Sequence, residues 1–284
     1  MLTTAAIERV VRAALDEDAP WGDATSEALI PADAVAEAGL VAREAGVLSG
    51  GAVFAAAFAA ADPRIEVELL AADGAAFGPG DAVARVTGPA RGVLTGERVA
   101  LNLTQRMCGI STLTARYVAE VEGTGVRIAD TRKTTPGLRA LERHAVLAGG
   151  GHNHRFSLSD AVMAKDNHLA VLREREGLST TDALRRAIAS LPHTMHVEVE
   201  VDRLDQIDEV LAAGVGTIML DNFSLDDLRA GVAQVGGRAT VEASGGVTLD
   251  TVGAIASTGV DVISVGALTH SARAIDLGLD IEAS

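Results

Sequence analysis

Only one cysteine, Cys108, stands in the 284 residues, so neither an intrachain disulfide nor a cysteine-based zinc cluster can form, and a buried structural thiol is expected. Long apolar runs are missing too. The nearest candidate, Gly51 to Ala61, is alanine-rich and well short of the roughly 20 residues a membrane span needs. Glu8, Asp16, Glu17 and Asp18 come too early for the basic region and apolar run of a secretory signal, which predicts a cytoplasmic protein with no membrane contact. Positive charge is scarce. With 24 Lys and Arg against 39 Asp and Glu, the net charge is -15, and a nucleic-acid binder would need an extended basic surface to displace phosphate counterions. Lysine is scarcest of all. Lys133 and Lys165 are the only two, and both lie between Asp130 and Ala170. A sequence that otherwise uses arginine needs lysine itself there, as a compact, mobile point charge.

What is present suits a large globular fold. At 48% hydrophobic residues, a chain of this length buries roughly three quarters of its unfolded surface. Ile7, Val10, Val11, Ala14 and Leu15 mark one face of an opening helix over Thr4 to Glu17. Short strands are expected at Leu40 to Val47, Ile65 to Leu70 and Ala82 to Val86, set off by Gly and Pro turns. A long helix follows from about Thr95 to Val121. From Val126 the pattern becomes rhythmic, with apolar strands at Val126 to Ala129, Ala161 to Ala164, His196 to Val199, Thr217 to Leu220, Thr240 to Ala243 and Val260 to Val265. Helical stretches between them indicate parallel βαβ units. Asp130, Lys165, Glu200, Asp221, Ser244 and Gly266 all fall at or just beyond the carboxyl end of a strand. In a barrel those ends form one ring, whereas a doubly wound sheet spreads them along a line. The expectation is an α/β protein: a smaller mixed N-terminal domain over residues 1–108, then a parallel α/β barrel over 109–284.

Three segments concentrate cations. Asp130-Thr-Arg-Lys-Thr-Thr-Pro-Gly-Leu-Arg139 leaves a strand and enters a helix near Leu138; Gly149-Gly-Gly-His-Asn-His-Arg155 combines three glycines, read as room for close backbone approach to a ligand, with His154 and Arg155; Lys165-Asp-Asn-His168 ends the next strand. A cationic pocket in an acidic protein is implied. The net charge does not exclude an anionic ligand, because screening acts beyond about 8 Å while each charge-assisted contact is worth about 1.5 to 3 kcal/mol. Glu200 and Asp221 end consecutive strands, where carboxylates can bind sugar hydroxyls, hold Mg2+ or stabilise charge developing on a sugar carbon. The turns Glu242-Ala-Ser-Gly-Gly246 and Val265-Gly-Ala267 precede helices expected near Thr248 and His270. Their backbone N–H groups suit a phosphate monoester.

Assembled in order, these motifs resemble the quinolinate phosphoribosyltransferase family. The likeness also takes in Gly22-Asp-Ala-Thr-Ser26, Gly96-Glu-Arg-Val-Ala-Leu-Asn-Leu103, Glu198-Val-Glu-Val201, Leu220-Asp-Asn-Phe223 and Ser264-Val-Gly-Ala-Leu-Thr-His270. It implies an incomplete barrel behind the N-terminal domain, and homodimers in which Glu97-Arg98 of one subunit reaches into the partner's site. It further implies that Arg98, Arg132, His154, Arg155 and Lys165 surround the two carboxylates of quinolinate, with Thr131 also a substrate contact. Lys133, Glu200 and Asp221 would face the ribose and pyrophosphate of phosphoribosyl pyrophosphate with Mg2+, contacted directly or through water, and Ser244, Gly245, Gly246 and Gly266 the 5-phosphate. Lys133, Lys165, Glu200 and Asp221 are the implied catalytic groups. The implied products are nicotinate mononucleotide, pyrophosphate and CO2. Two other readings are a phosphoribosyltransferase acting on nicotinate without decarboxylation and a non-catalytic sugar-phosphate-binding barrel. His144 stands where the family usually has tyrosine, and Phe156-Ser157 where Leu-Gly is usual.

Overall fold

The computed structural model describes residues 2–165, 167–171 and 177–282. Asp166 of the Lys165–His168 motif lies outside them. The chain forms two compact units: Met1–Ala115 with Lys133–Gly151 and Leu268–Ser284, and Arg116–Arg132 with His152–Ala267.

The first unit opens with helix α1, Thr4–Asp18, where the Thr3 hydroxyl accepts from the Ala6 N–H at 3.3 Å and Ile7 and Val11 are buried. Helix α2, Ala24–Leu29, is capped by Asp23, which accepts from the amides of Thr25 and Ser26. An antiparallel sheet follows, with β1 (Val35–Ala42) between β5 (Ala82–Pro89) and the C-terminal strand β12 (Leu277–Glu282), and β3 (Glu66–Leu69) on the far side of β5. β1 begins five residues before the expected strand, and its alternating burial marks one covered face. β2 (Gly46–Val47) and β4 (Ala76–Phe77) form a separate two-stranded pair. The apolar stretch noted for its length folds as helix α3, Gly51–Ala61, with Phe54 and Phe58 edge to face at 5.0 Å. α3 starts on glycines that supply no side-chain cap, and Asp73 takes that role by accepting from the amides of Gly50 and Gly51 at 3.1 Å each. The long helix α4 spans Ala90–Glu120, and α5 is Arg139–Ala148.

The second unit is built on a parallel six-stranded sheet in the order β6 (Arg127–Ala129), β11 (Val262–Ser264), β10 (Thr240–Ser244), β9 (Thr217–Asp221), β8 (Val197–Val201), β7 (Val162–Ala164). These are the six strands the periodicity predicts. Helices α6 (Thr180–Ala189), α7 (Ile207–Ala212), α8 (Leu225–Val235) and α9 (Leu249–Ala256) connect them, the βαβ arrangement of an α/β barrel. Val197, Val199, Ile218, Leu220, Val241 and Ile263 are buried, while Glu198 and Glu200 fall on the opposite face of β8 by the two-residue period. His152 extends the sheet as an isolated parallel bridge to Ala129. The last helix, α10, runs Ala267–His270; the sequence placed a helix start where this one ends.

Candidate active site

Asp130 and Lys165 directly follow β6 and β7, Glu200 is the penultimate residue of β8, Asp221 and Ser244 end β9 and β10, and Gly266 lies two residues past β11. In a parallel sheet all these ends point the same way. Register places Glu200 opposite Met219 and Asp221 opposite Ser244, so Glu200, Asp221 and Ser244 share a face, with Asp221 one pleat beyond Glu200.

Arg132, Arg155 and Lys165 line a single cavity of about 520 Å³, together with His168 and an apolar wall that includes Met163, Leu169, Leu184 and Ile188. Cations on one side and hydrocarbon on the other suit a flat aromatic acid. Arg155 donates from Nη1 to the Ala161 carbonyl at 3.0 Å. Burial, and then the neighbouring charge of Arg132, pull its pKa below the usual arginine value, so these two cations crowd each other. Lys165 is paired with Glu200, and its backbone N–H donates to His168 Nδ1 at 3.1 Å. The pair leaves Lys165 half-exposed and masks its charge until an anion competes for it.

His154 is arranged differently from that trio. Its amide donates to Oδ1 of the fully buried Asp130 at 2.7 Å, and Asp130 N–H bonds the His152 carbonyl at 3.0 Å. The imidazole enters the barrel, where Nε2 lies 3.1 Å from Glu198 and 3.4 Å from Glu242. Nδ1 accepts the Arg155 N–H at 2.8 Å. Burial opposes charge on the ring, but the hydrogen bonds and charges of the two glutamates outweigh it and push His154 up to about 10. Burial, with Glu242 adding like charge, also raises Glu198. The contacts at Nδ1 and Nε2 together fix the orientation of the ring. Oε1 of each glutamate and the Ser264 hydroxyl are buried without a hydrogen-bond partner.

Two sets of residues offer cation-ligand chemistry, the first clustered in space and the second placed on one face by register. His154, Glu198 and Glu242 present ligand atoms within 4.8 Å of one another, but their imidazole and burial suit Mg2+ poorly. Glu200 and Asp221, carboxylates on adjacent strands and one face, match the oxygen-rich, partly hydrated coordination that Mg2+ prefers.

The Ser244–Gly246 turn is built on glycines in left-handed backbone. Gly245 and Gly246 take φ of +94° and +60°, open to glycine and strained for other residues, and α9 begins after a Thr248–Thr251 capping box. Gly266 is backed by a four-residue helix only, so its turn offers amides without a developed helix dipole. Two of the three glycines at 149–151 are required by packing. A Cβ on Gly149 would strike the Ser111 carbonyl, and one on Gly151 would lie 2.7 Å from Thr114 Cγ2; they permit close packing on α4.

Arg98 and Lys133 belong to the first unit. Arg98 is an exposed residue of α4, lining a cavity of about 280 Å³ with Gly22, Asp23 and Thr95. Beside it, Trp21 is 96% exposed. Lys133 is exposed, and its carbonyl accepts from Thr269 Oγ1 at 2.8 Å. The following residues are pinned by Glu142, buried on α5, which accepts from Arg106 at 2.9 and 2.5 Å and from the Thr135 N–H at 3.1 Å. His144 contacts Asp73 at 2.6 Å. Glu198, Glu242 and Glu142 were not singled out as site residues from the sequence, and Asp130 was placed at a strand end without an assigned role. The two-residue offset of Glu198 from Glu200 along one strand face was the available signal.

The chain is similar to known proteins over nearly its whole length. The model described as "Quinolinate phosphoribosyl transferase, C-terminal domain" matches residues 110–280, and its N-terminal counterpart matches 23–108. The chain is 43% identical over 280 residues to the nicotinate-nucleotide pyrophosphorylase [carboxylating] of Mycobacterium leprae (strain TN), covering 95% of each protein. It is 40% identical over 268 residues to the probable enzyme of that name from Bacillus subtilis (strain 168), covering 94% of this chain and 91% of the relative. The crystal structure of NadC from Streptococcus pyogenes superposes with a TM-score of 0.94 at 39% identity, over 99% of this chain and 98% of that one.

Proposed function

The chain belongs to the quinolinate phosphoribosyltransferase family, and from that premise we propose that it transfers the phosphoribosyl group of phosphoribosyl pyrophosphate to quinolinate with loss of CO2. The product is nicotinate mononucleotide, a precursor of NAD. The observation that carries this reading is the convergence of Arg132, Arg155 and Lys165 on one cavity, with Glu200 paired to Lys165 and Asp221 on the same face of the next strand.

The ring nitrogen of quinolinate attacks the anomeric carbon as the bond to pyrophosphate breaks, through an oxocarbenium-like transition state. Arg132 and Arg155 hold the two ring carboxylates as planar forks, and Lys165 exchanges Glu200 for a substrate carboxylate. His154 and Thr131 complete that pocket, with Arg98 supplied by the partner of a homodimer. Glu200 and Asp221 face the ribose and stabilise its developing positive charge. Lys133 neutralises the leaving pyrophosphate, and Ser244, Gly245, Gly246 and Gly266 hold the 5-phosphate. Glu200 and Asp221 would hold Mg2+, directly or through water, and the ion would supply further charge neutralisation at the pyrophosphate. In the resulting N-ribosyl pyridinium, the carbon–carbon bond to the carboxylate next to nitrogen breaks, and its electron pair remains on the ring carbon beside the cationic nitrogen. A solvent proton then replaces CO2, so no separate electron-sink cofactor is required.

The exposed Trp21 next to the Arg98 cavity supports the dimer, because tryptophan is enriched at protein–protein interfaces relative to the rest of the surface. No helix among the described residues is long and apolar enough to cross a membrane; a cytoplasmic location is part of the proposal. The deciding assay follows CO2 released from quinolinate labelled in the carboxylate next to nitrogen. Release that requires both phosphoribosyl pyrophosphate and Mg2+ is the expected result; turnover of nicotinate with none of quinolinate would overturn the reading.

A further inference from the structure

Asn222 follows Asp221 at the end of β9 and is the one non-glycine residue with positive φ among the described residues, at 58°. Three contacts accompany that conformation. Its Nδ2 donates to Asp221 Oδ2 at 2.7 Å. Its backbone N–H donates to the Ser244 carbonyl at 2.9 Å. Its Oδ1 occupies the space a Cβ on Gly245 would need. One residue therefore touches the carboxylate proposed to face ribose and the turn proposed to hold the 5-phosphate, two groups on different strands.

We propose that Asn222 is a positioning residue that locks Asp221 to the Ser244–Gly246 turn, so that the ribose and 5-phosphate ends of one sugar phosphate are gripped at a fixed spacing. This rests on the phosphoribosyl-transfer reading given above. Residue chemistry explains why asparagine is there. Asparagine tolerates the left-handed region better than most side chains, but glycine would suit that backbone better still and would have no amide to orient the carboxylate. Aspartate would set a second negative group against Asp221. Backbone strain kept at such a point, where glycine would relieve it, is characteristic of a functional constraint. The apolar wall of the quinolinate cavity is outside this linkage, so the effect of Asn222 is confined to the sugar phosphate.

The test compares the full-length protein with N222G, chosen because glycine keeps the turn while deleting the amide. The expected result is a KM for phosphoribosyl pyrophosphate raised about tenfold or more, as for a lost hydrogen bond to a charged group. The KM for quinolinate should change less than about twofold, with the melting temperature unchanged or raised. Calorimetric titration with ribose 5-phosphate reads the same grip without turnover and should weaken in parallel. Should N222G fold poorly, N222D keeps the side-chain size but replaces the donated amide with a second carboxylate against Asp221, and should give the same sugar-phosphate-selective loss. Unchanged kinetics in N222G would overturn the proposal. So would equal losses for both substrates together with a lowered melting temperature, the mark of a residue that merely forms the turn. A wild-type protein that releases no CO2 from quinolinate would count against the reaction, whereas wild-type turnover with indifferent N222G would count against Asn222 alone.

Discussion

Replacing Arg155 with alanine removes one of three cations from the cavity it shares with Arg132 and Lys165. A hydrogen bond to a charged group is worth about 1.5 to 3 kcal/mol, and a guanidinium fork can make two to a carboxylate. Two such bonds sum to about 3 to 6 kcal/mol, and the structure argues for a net loss at or below the bottom of that range. Nη1 of Arg155 is already donating to the Ala161 carbonyl at 3.0 Å, which occupies part of the fork. Burial and the adjacent charge of Arg132 disfavour the cation, so deletion relieves repulsion as it removes attraction. The net loss should be about 2 to 3 kcal/mol, a rise of roughly 30- to 150-fold in the KM for quinolinate. The KM for phosphoribosyl pyrophosphate should move less than about threefold, because the residues assigned to it lie on other strands. Arg155→Lys retains charge without the planar fork and should recover about half of the lost free energy. The assay is initial-rate CO2 release, varying each substrate at saturation of the other. Equal losses for both substrates would refute the assignment, as would a quinolinate effect below about threefold.

Trp21, the sole tryptophan, should show a blue-shifted emission in the dimer that moves to the red on dilution, and Trp21→Ser should shift the protein toward monomer in analytical ultracentrifugation; a red, dilution-independent spectrum would remove it from the interface. Burial pushes the Cys108 thiol up to about 12, so native protein at pH 8 should resist alkylation and react stoichiometrically in denaturant, with rapid native labelling as the contrary result. Asp73 is held below the usual carboxylate range: burial raises it, but the His144 contact and the Gly51 and Gly50 amides prevail. Asp73→Asn should therefore cost about 2 kcal/mol near pH 7, or about 3 °C in calorimetric Tm. Because the folded pKa is depressed, that contribution is complete above the unfolded value of 3.8 and fades as pH falls through the folded one, so the mutant and wild-type curves should converge in acid.

Much of the site was legible because the information is local. A strand end followed by Asp, Lys or a Gly turn can be read from a few neighbouring residues, and five of the six expected strand-end groups lie within one residue of a strand terminus, Gly266 being one step farther. Helix α3 was harder to read, since its uniform Ala-rich composition lacks an amphipathic period and its N-terminal cap comes from Asp73, more than twenty residues away. Strand β12 was missed because a short C-terminal run becomes a strand only by pairing with β1, as in Leu40 opposite Leu279.

By itself the sequence determined the rhythm of strands, the clustering of cations and paired lysines in one stretch, and the family to which those motifs belong. These depend on the order of residue types along the chain. Only the tertiary structure decided that Arg132, Arg155 and Lys165 share one cavity, that His154 turns inward to Glu198 and Glu242, and that Asn222 ties Asp221 to a neighbouring turn. Each of those contacts joins residues from different strands or loops, and strand register, which no local pattern contains, sets which side chains meet.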